Sequence, residues 1–248
     1  MTRNAIEDGP LRHRRSLPLL AIVMVALVAP ASALAKKGGN PDATFIPDIA
    51  MCRPTSDADG LEILSNFYPG YWWDHTDLTV AAHVHPSATA EQRAAIADAI
   101  STWSTVLDDC FDGVVTLTDV SGQQRRAADI VIHYTPNAGG VVFAGIAICG
   151  DHKCQNVHVR TDLPKSLGVD PYPAFYLGWI TMHELGHALG IGHATNLEES
   201  TDLMGYGWTQ EIEPTLSQCD VEELAYVFAW AFAGTEPYQP GPGPFDCS

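Results

Sequence analysis

Residues 181–193 read Thr-Met-His-Glu-Leu-Gly-His-Ala-Leu-Gly-Ile-Gly-His, and this stretch limits what the chain can fold into more than any other. His183 and His187 are four apart, which on an α-helix stacks both imidazoles on one face, where they can share a metal ion. Glu184 follows the first histidine, beside the metal but aimed away from it, in reach of a water. Gly190 can take the left-handed backbone that ends a helix and turns the chain sharply. That turn brings His193 back as a third ligand. Three neutral imidazoles leave a fourth zinc position for water, the catalytic rather than the structural arrangement. The fold must therefore present one helix face and the turn after it to a shared cleft.

The start of the chain is a processing signal rather than fold. Arg12, Arg14 and Arg15 precede an apolar run from Leu17 to Val28, and small residues follow as far as Ala33-Leu34-Ala35. A charged start, an apolar middle and an A-x-A end make a signal peptide over 1–35, with cleavage expected after Ala35 and secretion of the rest. Pro18 and Pro30 argue against an uncleaved membrane anchor. Residues 1–35 carry four basic and two acidic side chains, so their removal takes the net charge from −17 to −19. So acidic a surface argues against nucleic acid or an anionic membrane as partner. Clustered carboxylates could hold Ca2+, but no EF-hand-type or repeat calcium loop stands in the sequence.

All six cysteines lie beyond residue 35. An even count in an exported chain predicts three disulfides, with fifteen pairings open. Cys149 and Cys154 bracket the turn-like Gly150-Asp151-His152-Lys153 and are expected to pair across a hairpin. Cys219 with Cys247 would tether the tail and leave Cys52 with Cys110, pairings with no local reason behind them.

Residues 36–69 are rich in Gly, Pro and Asp and read as an N-terminal extension or short propeptide. Asp77 to His85 alternates and is partly β-branched, which predicts a strand that Pro86-Ser87 ends. Thr89 and Gln92 form a capping box for a helix whose core face is Ile96, Ile100, Trp103 and Leu107. Val114–Val120 and Ala127–Tyr134 follow as strands, the second nearly all apolar at Asp129-Ile-Val-Ile and so central. Val141–Cys149 and Gln155–Arg160 read as the disulfide-closed hairpin. The metal helix runs from about Pro173 to Gly190. Ser217 with Asp220 caps a last helix with the stripe Val221, Leu224, Ala225, Phe228 and Phe232. Residues 233–248 hold four prolines and form a tail.

The long zinc motif, Met204 eleven residues after His193, and the last helix opened by Leu216-Ser-Gln-Cys-Asp220 together resemble the metzincin metalloproteases. Within that clan the chain looks most like the matrixins, the M10-type peptidases, over roughly residues 70–232. The resemblance implies an α+β zincin fold: a twisted, mostly parallel five-stranded sheet with two long helices, and a smaller C-terminal subdomain with a Met-turn and final helix. It implies one catalytic Zn2+ on His183, His187 and His193, Glu184 as catalytic base, and Met204 as an apolar floor beneath the metal.

Departures from the matrixin pattern are Ala194 in place of Ser or Thr, and a short region before the metal helix. The structural zinc and calcium sites of matrixins are therefore not carried over, and His152 and His158 are read as isolated surface histidines, with a second metal on them as the alternative. Tyr206 stands two residues after Met204, as in the astacin and serralysin relatives. There it is either a fifth ligand or transition-state donor, or a packed aromatic with a hydrogen-bonded hydroxyl. A cysteine-switch role for Cys52 lacks its surrounding motif.

The expectation is a secreted zinc metalloendopeptidase (EC 3.4.24 type) acting on protein or peptide substrates as a monomer, with no nucleic-acid or membrane partner. A catalytically silent zinc-containing binding module of the same fold is the alternative, and the intact Glu184 argues against it.

Overall fold

Alternation decides which face of the sheet is core. The structure, a computed structural model, describes residues 62–64, 72–123, 128–136, 144–150, 153–161, 174–194, 202–205, 214–237 and 245–246. The expected signal peptide, Cys52, His152, Tyr206 and Cys247 lie outside the described residues.

A short strand β1 (Glu62–Leu64) precedes β2 (Asp77–Val84), which feeds α1 (Ala90–Phe111) and then β3 (Thr116–Asp119). After β4 (Ile130–Thr135) comes a hairpin of β5 (Gly145–Gly150) and β6 (Lys153–Arg160). The metal helix α2 (Ala174–Leu189) leads to β7 (His193–Ala194), α3 (Gln218–Val227), α4 (Ala229–Phe232) and β8 (Phe245–Asp246). The five-stranded sheet has the order β3-β2-β4-β6-β5, parallel throughout except for the β5–β6 pair. It is the mostly parallel sheet that the resemblance implies, with Ile130–Thr135 at its centre. In β4 the buried Ile130, Ile132 and Tyr134 alternate with half-buried Val131, His133 and Thr135, so one face takes the helices and the other does not.

Local chemistry agrees with this at each end. Thr89 and Gln92 make both bonds of the capping box on α1, and Ile96, Ile100, Trp103, Leu107 and Phe111 are buried. Asp129 ties the start of β4 to β2. Its carboxylate accepts from the Thr79 N–H at 2.9 Å and hydroxyl at 2.7 Å, and its own N–H returns a bond to Thr79 Oγ1 at 3.0 Å. Cys149 and Cys154 are disulfide-bonded across the β5–β6 turn, as their spacing predicts. Cys110 and Cys219 are also disulfide-bonded.

Helix α2 is apolar nearly all round, which marks a helix for the interior. Three neutral donors fix it. Trp103 Nε1 donates to the Met182 carbonyl at 2.9 Å, and Trp73 Nε1 to the Ala188 carbonyl at 2.9 Å. The Tyr134 hydroxyl donates to Thr181 Oγ1 at 2.9 Å, and Thr181 in turn donates to the Leu177 carbonyl at 2.7 Å. α1, the segment before β2, and the central strand thus each hold one point along the helix that carries the histidines.

Two features differ from the sequence reading. The last helix does not run unbroken to Phe232: it stops at Phe228 (φ −98°, ψ 15°) and restarts as α4. The apolar stripe continues across the break, since Phe228 and Trp230 are both buried; neither Gly nor Pro announces it. Second, β1 and β8 form a small sheet with β7 in the order β7-β1-β8. Residues from the expected extension thereby lie against the third histidine, Leu64 pairing with His193 and Ile63 with Ala194, and tail residues pair on the far side of β1. Strands of two or three residues carry no period to read.

Candidate metal centre

The chain reaches the site as α2 ends. Gly190 has φ 120°, a conformation that L side chains rarely adopt. Its N–H bonds back to the carbonyls of Gly186 and His187, and the Ile191 N–H to that of Gly186. A Cβ on Gly190 would fall 2.8 Å from Val227 Cγ1, so α3 sits directly against the turn. The turn returns His193 to the helix face bearing His183 and His187.

The three Nε2 atoms form a nearly equilateral triangle: 3.0 Å from His187 to His183, 3.1 Å from His187 to His193, and 3.2 Å from His183 to His193. Two opposite nitrogens are committed elsewhere. His183 Nδ1 lies 2.7 Å from the Leu203 carbonyl and His187 Nδ1 2.8 Å from that of Ile191. A carbonyl only accepts, so each Nδ1 carries the proton and each Nε2 presents a lone pair. Burial also keeps the rings neutral. It lowers His183 to about 4 and His193 to about 3, and it drives His187 far below its ordinary range, with the neighbouring imidazoles adding to the effect at His187 and His193. Neutral imidazoles converging at this distance are what a metal ligand set requires. This is the one such cluster among the described residues.

Glu184 is buried beside the triangle. Burial pushes its carboxyl up to about 8, and the Ala147 backbone N–H on β5 pulls it back by hydrogen bonding. A divalent cation nearby acts in the same direction as that N–H. Gly145 makes room for the side chain: a Cβ there would lie 2.5 Å from both Cγ and Oε1 of Glu184.

Met204 is fully buried under α2. A Cβ on Gly186 would stand 2.7 Å from Met204 Sδ, so that glycine lets the helix settle onto the thioether. The Met204 N–H donates to Asp202 Oδ1 at 2.8 Å, and its carbonyl accepts the Ala194 N–H at 2.9 Å.

A family model described as Peptidase_M10, matrixin, matches residues 72–229, well over half of the chain. The chain belongs to the matrixin family. Among curated proteins none matches it. Membership makes this a zinc metalloprotease domain, and the histidine geometry fits the ion. Tetrahedral zinc with Zn–N of about 2.0–2.1 Å sets nitrogens about 3.3–3.4 Å apart, within a few tenths of an ångström of the triangle found here.

The sequence reading of this matrixin site located His183, Glu184, His187, His193 and Met204, and the structure brings all five together. It missed Gly145, the Ala147 N–H, and a buried acidic trio beneath the centre: Asp202, Asp220 and Glu223. Signals for the trio were present. Asp202 stands two residues before Met204, the spacing of an Asx turn. Asp220 and Glu223 share the i, i+3, i+4, i+7 face of α3 with Leu224 and Val227, polar residues at core positions. His158 is not isolated: it stacks on His133 at 4.8 Å, which meets His83 edge-on at 5.1 Å. These three are in register across β6, β4 and β2. Their ring nitrogens do not form a converging ligand group like that of His183, His187 and His193 among the described residues.

Proposed function

We propose that this matrixin-family chain is a secreted zinc metalloendopeptidase in which Glu184 is the general base. One observation carries the reading: a buried carboxylate, cleared by Gly145 and bonded by the Ala147 N–H, lies beside three converging neutral imidazoles.

When bound, zinc supplies Lewis acidity, polarising a carbonyl and making water a better nucleophile near neutral pH. The protein's own residues do the rest. His183, His187 and His193 offer the ligand nitrogens. Glu184 accepts the proton as a water oxygen adds to the peptide carbonyl carbon. It then delivers that proton to the departing amine as the C–N bond breaks. An extended peptide fits antiparallel along β5, the edge strand of the sheet, with main-chain hydrogen bonds giving affinity. β5 also carries Gly145 and Ala147, so it aligns the substrate and the base together. Met204 closes the apolar floor.

Secretion is supported by the N-terminal pattern at Arg12–Ala35 and by disulfides at Cys149–Cys154, Cys110 and Cys219. No helix among the described residues is long and apolar enough to cross a membrane.

The test is Glu184→Gln in the full chain, assayed on a mixed peptide library with zinc content measured alongside. Turnover is expected to fall by about 10²–10⁴-fold, the usual worth of a positioned base, with one zinc still bound. Retained, chelator-sensitive cleavage in that variant would sink the assignment of the base.

A further inference from the structure

We propose that Glu223 is a positioning residue for the third zinc ligand, acting through the backbone of the turn that carries His193. The five residues from Gly190 to Ala194 form that turn. Gly190 and Ile191 are tied to α2 through their N–H groups, and Ala194 to the Met204 carbonyl. Gly192, immediately before the ligand, is held by a side chain: its N–H donates to Glu223 Oε1 at 3.2 Å, across 31 residues of sequence.

Glu223 is fully buried on the core face of α3. A carboxyl group in such a place is costly unless a hydrogen bond depends on it. The same helix face meets the turn a second time, one helical turn further on, where Val227 packs on Gly190. α3 therefore docks against the ligand turn by shape at Gly190 and by hydrogen bond at Gly192. His183 and His187 need no such support, because regular helix fixes their backbone. His193 opens the two-residue strand β7, which pairs with Leu64 of β1 on one side. The residues that lead into it belong to neither helix nor strand, and their path follows from where Gly192 is held.

Partners of this kind, one step removed from the ligand, commonly change metal affinity by 10–100-fold when lost. Two variants of the full chain separate positioning from mere packing. E223Q keeps an oxygen acceptor, whereas E223M fills the same space with no acceptor and leaves no buried charge. Zinc affinity is read by competition with a chromophoric chelator, and ligand geometry from the visible spectrum of the cobalt-substituted protein. E223M is expected to bind zinc about 10–100-fold more weakly with an altered cobalt spectrum, and E223Q to bind within about threefold of wild type. E223M with wild-type zinc affinity and spectrum, or E223Q as damaging as E223M, overturns the proposal. Amide hydrogen exchange in the wild type tests it without any variant: Gly192 should be protected, and exchange at the rate of a free amide overturns it too.

Discussion

His183 and His187 stand on a helix held from outside by neutral donors, Trp73, Trp103 and Tyr134. His193 opens a two-residue strand after a turn, and a carboxylate, that of Glu223, holds the residue before it. The upper region is built by shape: α2 is apolar nearly all round, and glycines at 145 and 186 let Glu184 and Met204 come close. The lower region is built by buried polar contacts. Asp202 receives the Met204 N–H, Asp220 the Ser217 N–H, and Glu223 the Gly192 N–H. Burial raises all three acids, and the neighbouring Asp202 carboxylate adds to the rise at Asp220. The two regions meet at the three imidazoles, so the site combines a pair of ligands fixed by a helix with a third fixed by the turn after it. Each region should then fail in its own way.

Beyond replacement of Glu184 itself, the largest effect is expected from adding one methyl group to the upper region. Gly145→Ala puts a Cβ where the Cγ and Oε1 of Glu184 lie and displaces the base while sparing the histidines. A misplacement of about 1 Å costs about 100-fold in rate, about 2.7 kcal/mol. Peptide hydrolysis should show it in kcat, with zinc affinity unchanged; equal loss of zinc would mean the two functions of the upper region are not separable. A smaller effect distinguishes the two capping boxes. Thr89 caps α1 in solvent, and Ser217 caps α3 in the interior. Water replaces the Thr89 hydroxyl, so Thr89→Ala should cost about 0.5 kcal/mol. Ser217→Ala strands the buried Asp220 N–H and should cost about 2 kcal/mol. Denaturant midpoints of the two variants would break the comparison if they moved equally.

What was legible follows the same division. Periodic apolar spacing exposes α1, β2, β4 and α2, because each buries one face or all of itself, and the zinc ligands are legible because spacing on a helix is geometry. The Cys149–Cys154 bridge was legible because the turn between them is local. The lower region was less so. The break at Phe228 carries no Gly or Pro, and the β7-β1-β8 sheet joins strands of two or three residues from distant parts of the chain. Gly145 has meaning only once β5 lies over α2, a contact no local pattern encodes. Asp220 and Glu223 did interrupt the apolar stripe of α3, but a polar residue at a core position says only that a partner exists. It does not say that the partner is the amide of Gly192.

The pH dependence of stability is the finest test of the lower region. Glu223 is pushed up to about 8 from 4.5, first by burial and then by Asp202, against the Gly192 N–H. Between those values the folded chain binds a proton that the unfolded chain has released, so stability falls as pH rises. The stability carried by protonated Glu223 is complete below about pH 4.5 and lost as pH passes about 8, with a slope of at most about 1.4 kcal/mol per unit. E223Q cannot ionise and drops this contribution while keeping the acceptor for Gly192. Asp202 and Asp220 are raised in the same direction, and Glu223 adds to the rise at Asp220; E223Q removes that addition as well, which moves the difference the same way. The difference between wild-type and E223Q unfolding free energies, measured at saturating zinc from pH 5 to pH 8, should therefore move against the wild type as pH rises. Parallel curves would mean that Glu223 is ionised in the folded protein throughout, and that Gly192 is held by a charged carboxylate rather than by a neutral carboxyl group.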